Sequence, residues 1–353
     1  MPGENMLTHD QVHLSNVNYA FFTTEAGTSD AGYRINGERT RNVNIFSPEQ
    51  SKEPGKGFDS SACVLDNVMR CFVELGATES THKFFMTSFY AGNGKSDPRI
   101  YTCQNVSDLD ALKTLGIEGA RTILKPESGM GEQLLQQGIG VLKADALIFK
   151  AIPGQDFAML GASGDAHPIM MFDDENKLAC YVSGAHAALK QGVLERAFDE
   201  MLRLGAKVEN IKVVIGPGLG PNSYEFGDNA PDYFQVPDAI EFVKDLEGKP
   251  KCLINIDRLV KGKLQTRIAP EHIFNLNLNT TGFDLYVPSA PDSDGKTVKT
   301  RRETFDFKEL SEQGLLLFSA RREIMSRAED LSARNSGAHS TVGRHGAGFL
   351  LRN

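Results

Sequence analysis

The pattern of apolar and polar positions between residues 143 and 227 predicts an ordered series of strands followed by a helix. Three short apolar runs, each bounded by residues that favour turns, are typical of buried strands. These runs span residues 157–163, 168–172 and 178–183. The apolar period then changes to that of a helix, whose predicted core positions are Leu194, Ala197, Phe198, Met201 and Leu202. His186 therefore lies where a strand passes into a helix, a position where polar groups gather at the carboxyl edge of a sheet.

The same reasoning assigns elements to the rest of the chain. Strands are predicted at 19–22, 43–46, 83–91, 211–215, 252–256 and 315–319. Helices are predicted at 237–246, at 257–268 and from Ser60 or Ser61 to Gly76, the last with Val64, Val68, Cys71, Phe72 and Leu75 facing the core. Two segments have weaker patterns. Residues 97–140 are interpreted as an insertion or covering flap with a helical hint at 109–115, and residues 284–302 as a polar, turn-rich insertion. We predict a single domain over residues 1–353 with these two insertions.

Length, charge and cysteine content narrow the class of protein. The chain has 353 residues, of which 40% are hydrophobic, so it can bury a full core. The net charge of −8 and the lack of long basic runs argue against a nucleic-acid-binding protein, whereas a small molecule or a protein partner fits. No apolar stretch approaches the roughly 20 residues of a membrane span, and residues 1–18 lack a signal-peptide core. The five cysteines are an odd number without paired spacing, which suits buried thiols in a reducing compartment, so we expect a cytoplasmic location. The lack of a membrane span predicts no membrane association.

Alternating glycines follow the strand predicted at 211–215. The sequence from Gly216 to Asn222 reads Gly-Pro-Gly-Leu-Gly-Pro-Asn, a spacing similar to a dinucleotide-binding fingerprint. That fingerprint requires a helix directly after the glycines, because the helix amides bind the pyrophosphate. Here the loop runs into Ser223-Tyr224-Glu225 without a helical pattern. A nucleotide-binding Rossmann fold is therefore not predicted.

Several short motifs in this order resemble the YfiH family, also called the multicopper polyphenol oxidase or laccase-domain family, whose members are described as purine nucleoside phosphorylases. The resemblance covers the chain from about Tyr19 to the C-terminus, and the glycine-proline loop with Tyr224-Glu225 is its most specific part. The motifs lie at residues 23–27, 144–147, 153–154, 164–168, 186–190, 215–221, 224–227, 318–322 and 343–344. The resemblance implies an α/β fold, a sandwich of mixed sheets with flanking helices.

The family's active site holds zinc or copper between a histidine, a cysteine and a second histidine. Residue by residue, the second histidine corresponds to His186, the cysteine to Ala166 and the first histidine to Tyr90. Two of the three ligands are therefore replaced, and an alanine offers no lone pair to a metal. His167 is adjacent to Ala166 and, with His186, is the remaining candidate metal ligand, although neighbours on a strand point to opposite faces. These departures predict that no metal centre of the family type forms.

The resemblance implies a functional role for each site residue, and each residue also has an ordinary structural role as the alternative. The candidate catalytic residues are His186, Asp165 and Tyr90. A histidine that bridges backbone groups, a turn or capping aspartate and a core tyrosine are the alternatives. The candidate residues for binding substrate or phosphate are Lys190, Tyr224, Arg321 and Arg344. Lys190 would bind phosphate as a point charge in place of the family's arginine, or remain a surface lysine. For the two arginines, bracing the C-terminal strand is favoured over lining a pocket.

Three functions follow from the resemblance. The first is an enzyme that acts on a purine nucleoside, as a phosphorylase or deaminase, with phosphate at the helix that begins at His186. The second is a diverged or catalytically silent relative that binds a small molecule or a protein partner. The third is a laccase-like polyphenol oxidase. The replaced metal ligands favour a diverged active site, while His186, Asp165 and the Tyr224-Glu225 loop keep the nucleoside interpretation open.

Overall fold

The computed structural model describes residues 6–22, 34–35, 38–39, 61–88, 96–123, 129–291, 297–302 and 345–353. The α-helices in these residues are α1 Ser61–Glu74, α2 Val106–Thr122, α3 Met130–Gln136, α4 His186–Lys190, α5 Val193–Arg203, α6 Ala230–Phe234 and α7 Ile256–Leu264. The strands are β1 Met6–Leu7, β2 Val17–Phe22, β3 Arg34–Ile35, β4 Glu38–Arg39, β5 His82–Ser88, β6 Ile100–Cys103, β7 Ile139–Ala144, β8 Ala146–Lys150, β9 Phe157–Ser163, β10 His167–Asp173, β11 Leu178–Gly184, β12 Lys212–Ile215, β13 Glu225–Phe226, β14 Ile240–Lys244, β15 Pro250–Ile254, β16 Ile273–Asn275, β17 Tyr286–Pro291, β18 Thr297–Arg301 and β19 His345–Leu351.

Three mixed sheets organise the fold. The first has the strand order β1-β2-β19-β9-β5-β7, the second β16-β12-β10-β11-β8-β6, and the third β13-β15-β14-β18-β17. In the first sheet β5 runs parallel to both β7 and β9, so these three strands end at the same edge. In the second sheet β10 is antiparallel to β11 and β12. The predicted fold class, an α/β sandwich of mixed sheets with flanking helices, is confirmed.

Apolar side chains divide between the faces of the first two sheets. One buried cluster includes Phe84, Phe149, Met170, Tyr181 and Phe349, which come from both sheets and pack between them. A second cluster covers the outer face of the first sheet with α1 and α3. A third joins the outer face of the second sheet to α4, α5, α7 and part of the third sheet. The alternation of side chains along each strand produces this layering, because successive residues serve opposite clusters.

The strongest sequence patterns are confirmed. The strands β9, β10 and β11 lie where the three apolar runs predicted them. In α5 the predicted core positions Leu194, Ala197, Phe198 and Met201 are buried, while Leu202 is only partly buried. Helix α1 buries all five of its predicted core residues. The N-cap of α7 is Asn255, whose side chain accepts a hydrogen bond from the Arg258 amide. Such a cap satisfies one of the free amides of the first helical turn.

The prediction of a helix at 237–246 was wrong. A 3-10 turn at Pro237–Ala239 leads into the strand β14, which pairs along its length with β15. Apolar residues at 239, 240, 243 and 246 have helical spacing, but Ile240, Phe242 and Val243 are β-branched or aromatic and favour a strand once a partner is available. The hydrogen bonds with β15 decide the outcome.

The two weakly patterned segments contain regular structure. Residues 97–140 supply β6, which pairs with β8, and α2 and α3, which pack on or beside β7. The close approach of α2 to β7 depends on Gly116 and Gly140, whose backbones leave no room for a side chain between them. Within 284–302, β17 and β18 form an antiparallel hairpin rather than a turn-rich segment. The strands predicted at 43–46 and 315–319 lie outside the described residues. The number of domains stays a prediction.

Among the helices of the described part of the chain, no helix is long and apolar enough to cross a membrane.

Candidate functional site

The predicted site residues from the middle of the chain lie at one corner of the fold. Residues 164–166 connect the end of β9 to the start of β10, and His167 pairs in register with Gly184 of β11. Since α4 begins two residues after Gly184, His186 follows the strand that lies beside His167. The loop after β12 closes the same corner, because the Gly216 amide donates to the Pro168 carbonyl at 2.8 Å.

The glycine-proline loop, residues 216–221, is held by side chains that pass directly over its glycines. A Cβ at Gly216 would overlap the Phe21 ring, and one at Gly218 would overlap the His167 ring. At Gly220 the backbone amide donates to Asn279 Oδ1 at 3.0 Å, and a Cβ there would meet the Asn279 side chain at 2.7 Å. Glycine is required at these positions because the neighbouring groups already occupy the space of a side chain. The loop is therefore a packed structural element.

Asp165 is part of the support of this loop. Its backbone carbonyl accepts a hydrogen bond from the Leu219 amide at 3.0 Å, and its carboxylate Oδ1 accepts one from Thr280 Oγ1 at 3.0 Å. The Thr280 amide in turn donates to the Gly218 carbonyl at 2.8 Å. This geometry gives Asp165 a positioning role in the corner. Its predicted catalytic role stays a prediction.

His167 faces the body of the fold. The side chain is 4% exposed, and its ring packs on the backbone of Gly218. Because strand side chains alternate, His167 shares a face with Ile169 and Met171, which belong to the buried cluster under α4 and α5. Ala166, at the position that the family resemblance gives to the cysteine ligand, has a backbone carbonyl that accepts a hydrogen bond from the Ser163 hydroxyl.

His186 belongs to an exposed aromatic group that we call the aromatic edge, formed by His186, Lys190, Phe226 and Tyr233. The His186 ring centroid lies 5.7 Å from that of Phe226 and 6.0 Å from that of Tyr233. The Phe226 and Tyr233 centroids are 5.0 Å apart. Lys190 Nζ lies 4.3 Å from the Tyr233 ring centroid, within the range of a cation–π interaction. His186 and Lys190 are exposed, and the two aromatic side chains are half-buried.

The surroundings of the aromatic edge favour uncharged rings. Desolvation by the neighbouring groups lowers the pKa of His186 from its usual value. Because the side chain still meets solvent, the effect on stability is small. Burial also raises the pKa of the Tyr233 hydroxyl. At pH 7 the edge therefore presents a neutral imidazole, a neutral phenol and a phenyl ring, with one positive charge at Lys190.

Tyr224 and Glu225 anchor the loop to the third sheet. Tyr224 is 7% exposed and belongs to the large buried cluster, and its carbonyl accepts the Ile254 amide of β15 at 3.0 Å. Glu225 Oε2 accepts a hydrogen bond from the Tyr286 hydroxyl at 2.6 Å and lies 3.4 Å from Arg301 Nε. The side chain of Tyr224 thus packs in the core at the foot of the loop, and its predicted part in substrate binding stays a prediction.

Sequence reasoning missed three residues of this corner. Phe226 lies in the quoted 224–227 motif but was given no role, and Tyr233 carried no signal because it lies in the five-residue helix α6. Thr280, which holds the Asp165 carboxylate, lies 115 positions away in the chain, beyond the reach of any local pattern. The predicted residues Tyr90, Arg321 and Arg344 lie outside the described residues.

The described residues do not fit the family's metal centre. Among them, no group of three histidine, cysteine, aspartate or glutamate side chains is arranged to hold a metal ion. Ala166 brings no donor atom, and the His167 ring is packed on Gly218. Cys180 is fully buried within β11, where desolvation raises the pKa of its thiol, so it does not supply the missing thiolate.

Comparison with known sequences supports the resemblance. Residues 118–285 match the family model described as multi-copper polyphenol oxidoreductase laccase. A purine nucleoside phosphorylase of Deinococcus radiodurans is 32% identical over 116 residues, which cover 32% of this chain and 44% of that protein. Another of Mycobacterium tuberculosis is 34% identical over 68 residues, covering 19% of this chain and 27% of that protein. The matched segments thus span less than half of these relatives' lengths.

Solved structures extend the match to the whole chain at the level of the fold. A hypothetical protein YfiH of Bacillus licheniformis superposes with a TM-score of 0.61 and 15% identity, covering 100% of this chain and 98% of that one. YlmD from Geobacillus stearothermophilus gives a TM-score of 0.56 and 14% identity over 99% and 100% of the two chains. At this identity the likeness concerns the fold alone. Together with the glycine-proline loop and the matched segment, it makes the chain similar to the YfiH proteins and, over residues 118–285, to the multi-copper polyphenol oxidoreductase laccase family.

Proposed function

We propose that this protein binds a purine nucleoside at the aromatic edge, and that its site works without the metal centre of the family. The observation that carries the proposal is the grouping of the His186, Phe226 and Tyr233 rings at the corner where the family motifs meet. The names of the curated relatives support a purine nucleoside as the ligand class.

The chemistry of the aromatic edge suits a flat, uncharged base. Stacking of a base on an aromatic side chain contributes about 1–3 kcal/mol and needs no particular base identity. A neutral His186 ring stacks without the desolvation cost of a charge, which agrees with its lowered pKa. Half-burial of Phe226 and Tyr233 leaves part of each ring available to a ligand.

Lys190 supplies the positive charge of the site. Its ammonium lies 4.3 Å from the Tyr233 ring centroid, at the end of the same short helix that begins with His186. A lysine attracts phosphate as a point charge, without the two parallel hydrogen bonds that an arginine would make. We therefore assign Lys190 to a phosphate group beside the nucleoside, either inorganic phosphate or a phosphate carried on the ligand.

The donor set argues for a site that works without a bound transition metal. A family-type site needs a thiolate and two imidazoles around one ion, with a fourth position open for water. Here Ala166 offers no donor atom, and His167 is 4% exposed with its ring on Gly218. His186 remains as a neutral imidazole, which is able to accept or hold a proton at a bound ligand.

Equilibrium binding tests the nucleoside part of the proposal. Isothermal titration calorimetry with adenosine and inosine should give saturable binding to the wild-type chain. Tyr233→Ala and His186→Ala should each weaken it about tenfold, which corresponds to the lower part of the stacking range. Phe242→Ala is the matched control, since Phe242 is an aromatic residue 69% exposed on β14, outside the aromatic edge. Binding that survives both edge variants unchanged overturns the assignment.

Elemental analysis and a phosphorolysis assay test the metal part. Zinc and copper in the purified chain should be far below one ion per molecule. Release of the free base from inosine and phosphate is then measured with and without a chelator. Any base release should be insensitive to the chelator and reduced in Lys190→Ala, with Lys244→Ala as the exposed-lysine control. A stoichiometric metal, or activity that a chelator abolishes, contradicts the proposal.

A further inference from the structure

A cavity lies at the opposite end of the parallel strands from the corner that holds His186. It has a volume of about 240 Å³ and opens where β5 and β7 begin, whereas the site corner lies beyond the end of β9, which runs parallel to them. Its walls come from the first residues of β5, the turn before β7, and the facing sides of α2 and α3. None of its lining residues belongs to the aromatic edge or to the glycine-proline loop.

Lys83 is the notable residue of this cavity. It is 9% exposed, so nine-tenths of its surface is covered, yet it lines the cavity. Among the described residues its ammonium makes a single hydrogen bond, from Nζ to the Thr81 carbonyl at 3.3 Å. None of the ion pairs formed by the described residues includes it. Burial lowers the pKa of the ammonium, and the charge of Glu79 acts in the opposite direction.

A second ammonium lies at the same cavity. Lys113 of α2 lines it, and its Nζ is 3.9 Å from Asp110 Oδ1, a distant pairing in which both side chains are largely exposed. His82 Nε2 is occupied by a hydrogen bond with Gln155 Oε1 at 2.5 Å. No carboxylate is among the lining residues. The cavity therefore combines two ammonium groups with no acidic side chain in its wall.

The remaining wall is apolar. Phe84 and Ile139 are almost fully buried behind it, whereas Ile117 is 43% exposed and Leu135 is half-buried, so these two present apolar surface to the cavity. The glycines at 138 and 140 contribute backbone rather than side chain to the lining, which leaves the cavity open between α3 and β7. An apolar ligand body would cover this surface, and the hydrophobic effect favours such covering.

We propose that this cavity binds a small carboxylate with an apolar body, the carboxylate against Lys83 and the body against Ile117 and Leu135. The Lys83 side chain is largely covered and its ammonium forms no ion pair with a described residue, so a ligand carboxylate would supply a close counter-charge and further hydrogen-bond acceptors. A charge-assisted hydrogen bond is stronger than one between neutral groups. A simple inorganic anion would satisfy Lys83 but leave the apolar wall exposed.

Calorimetry with three carboxylates tests the site. Acetate, hexanoate and phenylacetate are titrated into the full chain, with hexan-1-ol as the uncharged counterpart of hexanoate. Hexanoate or phenylacetate should bind at least about tenfold more tightly than either acetate or hexan-1-ol. Equal binding of hexanoate and hexan-1-ol removes the role of the charge. The absence of saturable heat with all three carboxylates overturns the proposal.

Variants then locate the binding. Lys83→Met should weaken carboxylate binding about tenfold while preserving the aliphatic packing of the side chain. Lys113→Gln, on the exposed rim, should have a smaller effect of about threefold. Lys244→Gln is the control, because Lys244 is exposed on β14 of another sheet. Unchanged affinity in Lys83→Met refutes the assignment.

A labelling readout distinguishes this site from the nucleoside site. Trace acetylation followed by mass spectrometry measures the modification rate of Lys83 relative to Lys244. Hexanoate should slow modification of Lys83, and adenosine should not. His186→Ala should leave the hexanoate effect intact, so failure of nucleoside binding and failure of this proposal give different results. Protection of Lys244 equal to that of Lys83 contradicts a specific site.

Discussion

The glycine-proline loop and the aromatic edge lie at the same corner but are built in opposite ways. The loop is crowded: Phe21, His167 and Asn279 press on the backbones of its glycines, and hydrogen bonds from Thr280 and Leu219 tie it to Asp165. The aromatic edge is loosely packed. His186 and Lys190 are exposed, and their distances to neighbouring ring centroids are 4.3 to 6.0 Å. The first arrangement tolerates few substitutions, whereas the second tolerates many.

This difference decides which positions of the corner can change without loss of packing. A glycine under a packed ring cannot change without moving the core, because interiors have no spare volume. A metal ligand at a corner is different: its loss ends one kind of chemistry but leaves the surrounding packing undisturbed. Ala166 illustrates this, since its backbone carbonyl still accepts the Ser163 hydroxyl while its side chain has no donor atom. The packing of the loop and the donor atoms of the site thus rest on different atoms at this corner.

Restoring the missing ligands should produce the largest change. The double variant Tyr90→His with Ala166→Cys adds the two residue types that the family resemblance implies near these positions, in addition to His186. We expect it to bind about one zinc ion per chain, with a gain in binding free energy on the order of 5 kcal/mol, because thiolate and imidazole ligands bind zinc strongly. Elemental analysis after dialysis measures this. Ala166→Cys alone should gain far less, and a double variant that stays metal-free would break the comparison.

Crowding in the loop predicts the next largest effect. Gly218→Ala forces a methyl group into the His167 ring and should destabilise the fold by about 3 kcal/mol. Chemical denaturation followed by circular dichroism measures the free energy of unfolding. The matched control is Gly248→Ala, where φ is +78° and no atom lies within 4 Å of the new methyl group, so only backbone strain of about 1 kcal/mol is expected. Equal losses in the two variants would show that packing at the loop is loose.

Two tyrosines compare the buried support of the glycine-proline loop with the aromatic edge. Tyr286 is fully buried and its hydroxyl donates to Glu225 at 2.6 Å, so Tyr286→Phe should lower the free energy of unfolding by about 1.5 kcal/mol. Tyr233→Phe removes a hydroxyl that has no hydrogen-bond partner among the described residues and should cost less than about 0.5 kcal/mol. Thermal unfolding of the pair tests the ranking. A larger loss at Tyr233 would reverse the roles assigned to the two regions.

The pH dependence of His186 should be the smallest effect. Its pKa is lowered in the fold, so the unfolded chain takes up a proton first as the pH falls below the usual histidine value. The contribution of the neutral ring to stability is thus complete above about pH 6.5 and is lost as the pH falls through the folded pKa. His186→Gln should flatten this part of the stability curve. A steeper decline in the variant than in wild type would mean that the ring gains, rather than loses, charge in the fold.

The sequence predicted those elements whose apolar pattern is local in the chain, and it failed where contacts between distant residues decide the structure. The apolar runs of β9 to β11 and the helical period of α5 were sufficient to predict these elements, because burial of one face of a strand or helix imposes a short repeat of apolar residues. The failure at 237–246 arose from pairing with β15, which no local repeat reports. Within the site, His186 was located from a strand-to-helix transition. Tyr233 and Thr280 reach it only through the tertiary fold, so single-sequence reasoning had no means of finding them.

The break between α4 and α5 has a consequence for how this corner can be redesigned. Gly192, at a φ of 75°, separates the single helical turn that carries His186 and Lys190 from the longer helix whose apolar side is locked into the core. Of this turn only His186 and Lys190 are exposed, while Ala187, Ala188 and Leu189 are buried, so replacements at the two exposed positions leave the core contacts in place. New side chains at positions 186 and 190 can thus be tried one at a time at little risk to folding, which makes this turn a suitable place to redesign what the corner binds.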